Sequence, residues 1–204
     1  MVKISYLTHY YHKDQEPFRT LSALPDADAI RIMRSLIDDT PFGARFKNPE
    51  QYLRERRATE VWVRVGFIAK GGKPKDAYPI SMVLGESPWM VENLPDREKH
   101  GEIRLPISLF TRDDVSFTYP DSMISYGLSR DKPAEFYQSG LHGIIFTLDE
   151  ISDLVEARGL PEGNWETSLP DHLAPYIEAQ VWNLQMVRTY WQRLQREAAP
   201  FAPE

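Results

Sequence analysis

The chain has 204 residues, 42% hydrophobic and 26% charged, a balance that excludes both a disordered chain and a fibrous repeat. It contains no cysteine, which excludes disulfides, thiol nucleophiles, iron–sulfur clusters and cysteine-ligated zinc. The net charge of −6 argues against a wholly basic nucleic-acid coat, but it is unevenly spread. Residues 1–75 carry 14 Lys/Arg against 9 Asp/Glu, and residues 76–204 carry 10 against 21.

In chain order, Lys3 to Tyr11 is rich in β-branched and aromatic residues and reads as a strand. A helix is predicted from Pro25-Asp26, with Ala29, Ile30, Met33, Leu36 and Ile37 at helical spacing as far as Asp38-Asp39. Thr40 to Gly43 reads as a turn. A second helix starts with Asn48 as N-cap and Pro49 at its first position, and runs to Lys70 before Gly71-Gly72. Tyr78 to Leu84, Ile103 to Leu109, Val115 to Tyr119 and Leu141 to Thr147 are strand candidates. Leu148 to Gly159 reads as a short helix. Ile177, Val181, Leu184, Val187, Trp191 and Leu194 form a helical stripe, and 198–204 a frayed tail. Helices flanking a strand-rich middle, without β-α alternation, give a single α+β domain over residues 1–197, with central mixed or antiparallel strands.

No apolar run of signal-peptide length precedes Lys13, Asp14 and Glu16. The longest weakly charged stretch, 78–84, is far short of the ~20 residues of a membrane span. The expectation is a soluble cytoplasmic protein without a membrane partner.

Chemistry-bearing motifs are sparse. Neither G-x-x-x-x-G-K nor G-x-G-x-x-G occurs, which removes support for kinase-like and doubly wound dinucleotide folds. His9 and His12 form an H-x-x-H pair, but a spacing of three on a strand sends the imidazoles to opposite faces, so no metal is expected. Asp149-Glu150 is best read as first-turn carboxylates that favour the helix dipole. Arg54-Glu55-Arg56-Arg57 is the densest cationic cluster. On a helix Arg54 and Arg57 share a face, where paired guanidinium forks suit a diphosphate or a nucleic-acid backbone. The alternative there is a solvated helix face.

Several segments resemble the ADP-ribosyltransferase fold, in particular the DarT-like family that modifies DNA bases using NAD. Leu7-Thr8-His9-Tyr10 is similar to that family's opening strand with its Thr-His pair. Pro79 to Leu84 followed by Ser87-Pro88-Trp89-Met90 is similar to its P-F-Y-F strand and S-P-M-L segment. Phe117-Thr118-Tyr119-Pro120-Asp121 is similar to its aromatic-Thr-Asp turn. Ile177-Glu178-Ala179-Gln180-Val181 is similar to the A-E-x-x-V strand that bears the catalytic Glu. The resemblance implies Glu178 as the catalytic carboxylate, Thr8 and His9 against NAD, and Arg54 or Arg57 on its phosphates. It implies NAD as co-substrate and a nucleic acid or base as acceptor, met through the basic N-terminal third. It also implies a strand at Glu178, where the helical stripe implies a helix. The alternative function is a non-enzymatic interaction protein whose amphipathic C-terminal helix pairs with a partner or a second copy.

Overall fold

The computed structural model describes residues 5–37, 43–92, 97–161, 169 and 173–198. The helix end at Asp38-Asp39, most of the turn at 40–43, and residues 199–204 of the tail lie outside them. Five strands form one antiparallel sheet: β1 (Tyr6–His12), β2 (Ile80–Leu84), β3 (His100–Pro106), β4 (Val115–Thr118) and β5 (Glu178–Val181), in the spatial order β3-β1-β2-β5-β4. The helices among the described residues are α1 (Asp26–Ser35), α2 (Pro49–Ala69), α3 (Pro88–Glu92), α4 (Ser122–Asp131), α5 (Leu148–Arg158) and α6 (Leu184–Ala198). The chain is α+β, and no described helix is long and apolar enough to cross a membrane.

Strand alternation divides the molecule into layers. Leu7, Met82, Leu84, Phe117, Ala179 and Val181 face one side, where they form the main core with Ile151 and Val155 of α5 and Val187 of α6. Thr8, Ser81, Ser116, Thr118, Glu178 and Gln180 alternate with them onto the other side, which α2 crosses. Helix α2 starts as its sequence dictates, with the Asn48 side chain accepting from the Gln51 N–H at 3.3 Å and Pro49 in the first turn. It ends at Gly71, whose φ of 89° is left-handed. A Cβ on Gly72 would lie 2.4 Å from the Phe67 ring, so the chain closes against that ring only through glycine.

Two expectations are corrected. Leu141 to Thr147 is not a strand. It turns at Gly143, where φ is 77° and a Cβ would sit 2.2 Å from Ser129 Cβ, and only Phe146 pairs, with Phe117. The stripe from Ile177 to Leu194 is not one helix. Ile177, Ala179 and Val181 also fit a period of two, and β5 is bonded on both sides, by β2 and β4. Helix begins only at Leu184, whose N–H donates to the Asp76 carboxylate at 2.8 Å, while the Asn183 side chain accepts from the Met186 N–H at 3.3 Å. Helices α3 and α4 lie where no element was predicted.

Candidate active site

Glu178 lies on a strand. The register puts Thr8 opposite Val83, Val83 opposite Glu178, and Glu178 opposite Thr118, so these four side chains form one row on the α2 side of the sheet. β2 separates the strands that carry Thr8 and Glu178, so the Thr-His strand is the neighbour but one of the Glu178 strand.

Both residues line a cavity of about 260 Å³. Thr8 Oγ1 donates to the Gly85 carbonyl. Glu178 is 5% exposed, and its Oε2 accepts from the Ser122 N–H, in the first turn of α4, at 2.6 Å. A helix start is a favourable place to bury a carboxylate. Asp121, the N-cap of α4, accepts from the Ile124 N–H at 2.9 Å. Burial and the nearby Glu178 push the Asp121 carboxyl upward, although Arg45 pulls the other way.

A buried polar network stiffens the strand beside this pair. Gln180 accepts from Ser116 Oγ at 3.0 Å and donates to Thr118 Oγ1 at 2.9 Å, and Trp182 Nε1 donates to Ser116 Oγ at 2.9 Å. It ties β4 to β5, the two strands that frame Glu178.

Cations enter the cavity from two elements. Arg56 on α2 donates to Glu60 at 2.9 Å, to the Tyr52 hydroxyl at 3.3 Å and to Ser81 Oγ at 3.4 Å. Burial works against its charge, but Glu60 outweighs that and holds the guanidinium firmly protonated. Burial raises the Glu60 carboxyl, and Arg56 opposes the rise. Arg45, from the 3-10 turn Gly43–Phe46, is an exposed residue whose charged end lies in the field of Tyr52, Asp121 and Tyr176. Burial raises the Tyr176 hydroxyl well above the ordinary range.

The remaining candidates fall elsewhere. His9 does not line the cavity. It sides with Leu7 in the opposite layer, stacked on Phe18 at 4.8 Å, and its Nε2 accepts from the Phe18 N–H at 3.0 Å. Strand alternation makes this unavoidable once Thr8 faces Glu178. Arg54 points to solvent. Arg57 is committed to Asp26 at 2.7 Å, the Ser22 carbonyl at 3.1 Å and the Leu24 carbonyl at 2.9 Å, tying α2 to the start of α1. The cavity's guanidinium is therefore Arg56, between the two that sequence reasoning chose. The available signal was helical period: Tyr52, Arg56, Glu60, Val63 and Phe67 share a face at steps of three and four. His12 and His100 are paired across β1 and β3, and both line the cavity, with ring centroids 5.3 Å apart.

The C-terminal stripe lies on the protein's own core, with Val187 fully buried and Leu184, Tyr190 and Trp191 packed around it. That occupies the face which the interaction reading offered to a partner or second copy. The chain matches no family model, no curated protein and no solved structure.

Proposed function

We propose that the cavity at Glu178 is the NAD site of an ADP-ribosyltransferase-like enzyme acting on a nucleic acid or base. The supporting observation is the single row of Thr8 and Glu178 on the polar face of the sheet, opening into a cavity that also holds Arg45 and Arg56.

In this reading, nicotinamide leaves with the electron pair of its bond to the ribose C1′, and positive charge develops on the sugar. Glu178 stabilises that charge and accepts the proton of the attacking acceptor as its bond to C1′ forms. Ser122 N–H fixes the carboxylate, and the buried row excludes bulk water from it. The residues available to the diphosphate are Arg45 and Arg56, in place of Arg54 and Arg57. A dinucleotide extends beyond one cavity, and a neighbouring groove of about 450 Å³ shares Tyr10 and His100 with it and adds Arg97 and Arg104.

The test is transfer of label from biotinylated NAD to single- and double-stranded oligonucleotides by the full chain and by Glu178→Gln. Label transfer that falls at least about 100-fold in the variant, with unchanged circular dichroism, is the expected result. Absence of NAD binding refutes the reading, as does transfer that survives in Glu178→Gln.

A further inference from the structure

Helix α2 has a second face, turned away from the sheet. Tyr52, Arg56, Glu60, Val63 and Phe67 point inward, whereas Arg54, Ala58, Val61, Val65 and Ile68 stand exposed on the opposite side. Val61, Val65 and Ile68 are 52%, 62% and 45% exposed, and they are the exposed large hydrophobic residues among the described ones. Apolar side chains scattered singly over a surface are ordinary, but a contiguous row on one helix marks a contact.

The spacing says what kind of contact it is. From Arg54 to Ile68 the steps are four, three, four and three, the heptad repeat by which one helix seats its side chains between those of another. Helix α2 has 21 residues and spans about 30 Å, long enough for these five layers. Helix α6 spends its own apolar stripe on the core, so the exposed seam that matches α2 is the α2 of a second copy.

Side-chain size and charge select the direction of pairing. In an antiparallel pair, Val61 of each copy comes level with Val65 of the other, and Ala58 with Ile68, a small side chain against a large one. Arg54 then reaches the C-terminal end of the other copy's helix. That end lacks positive charge: the last turn of α2 holds no basic residue, and Lys70 just beyond it is bonded to Glu150 at 2.7 Å. A cation placed there meets the negative end of the helix dipole. Parallel pairing would set Arg54 against Arg54 and Ala58 against Ala58. The flanks stay clear of the seam, because Arg57 is held by Asp26 at 2.7 Å, Arg64 by the Asp76 carbonyl at 3.4 Å, and Trp62 leans on Tyr126 at 5.0 Å.

We propose that the protein forms a two-fold dimer by antiparallel pairing of α2, through Ala58, Val61, Val65 and Ile68, with Arg54 of each copy on the end of the other's helix. The seam lies on the side of α2 away from the Glu178 cavity, so the dimer does not rest on the enzyme reading. One helix pair buries less than the ~1,600 Å² of a standard interface, which makes the association reversible.

The experiment is analytical ultracentrifugation of the full chain from about 1 to about 200 μM, where it is expected to pass from monomer to dimer. Val65→Glu and Arg54→Glu should each weaken the dimer at least about tenfold, with unchanged circular dichroism, since both positions are exposed. The chain has no cysteine, so single-cysteine variants read the register. Ala58→Cys mixed with Ile68→Cys should give a disulfide-linked dimer on mild oxidation, and neither variant alone should. A chain that stays monomeric at about 200 μM overturns the proposal and gives the seam to a different partner helix. A dimer untouched by both glutamate variants overturns it as well, as does a disulfide formed by Ala58→Cys alone, which would require parallel helices.

Discussion

His9 makes the fold acid-sensitive, by an amount the structure sets. Its Nε2 accepts from the Phe18 N–H at 3.0 Å and its Nδ1 faces the Ser81 carbonyl at 3.4 Å, so only the neutral ring with its proton on Nδ1 satisfies both. A second proton would set Nε2–H against Phe18 N–H inside the core. Burial lowers the pKa to about 4, with the Ser81 carbonyl opposing. In the unfolded chain the imidazole takes its proton near pH 6.5, whereas the folded one resists until about pH 4. The contribution is therefore fully present above pH 6.5 and is lost as pH falls to about 4, in total about 3 kcal/mol at ~1.4 kcal/mol per unit. Glutamine has no such titration and keeps an acceptor for the Phe18 N–H. Urea unfolding followed by tryptophan fluorescence, from about pH 7.5 to pH 4, compares wild type with His9→Gln. The variant should be less stable by about 1 kcal/mol at neutral pH and overtake wild type by pH 4.5. Parallel pH curves for the two proteins would refute the reasoning, because the titrating group would then not be His9.

Two further perturbations follow from contacts around the site. Arg56→Ala leaves Glu60, 3% exposed, without its ion partner and should destabilise the fold by about 3 kcal/mol, readable as a lower urea midpoint. Arg54→Ala, on the solvent side of the same helix, should stay within about 0.5 kcal/mol of wild type. Gly127→Ala in α4 meets nothing within 4 Å and should stabilise by about 0.5–1 kcal/mol, whereas Gly143→Ala meets Ser129 and a left-handed φ and should cost at least about 2 kcal/mol. Thermal melts of the two glycine variants should therefore move in opposite directions.

Local chemistry accounts for what was legible beforehand. Asn48 and Pro49 start α2 because a side-chain acceptor and a missing N–H are local solutions to the unpaired amides of a first turn. The start of α5 has the same origin, a reciprocal pair between Thr147 and Glu150. Glu178 was legible only through resemblance to a motif, since its own neighbourhood fitted both a strand and a helix. The helix from Ser122 to Asp131 is short and its apolar pattern brief, so Asp121, directly after Pro120, is the one local start signal it offers. Arg54 and Arg57 share a helix face and so suit a diphosphate as a pair, whereas only the packed helix shows that Tyr52, Arg56 and Glu60 point inward.

By itself the sequence determined the α+β class, most strands and helix starts, and the confinement of any catalysis to carboxylate, histidine, hydroxyl or arginine groups. These follow from composition and from periods of two and 3.6, which act over a few residues. Which side of the sheet each strand residue takes relative to its neighbours was decided only by the pairing of β1 and β5 with β2, across some 75 to 100 residues of chain. That register puts Thr8, not His9, in one row with Glu178 across β2, on the side of the sheet where Arg56 enters the cavity.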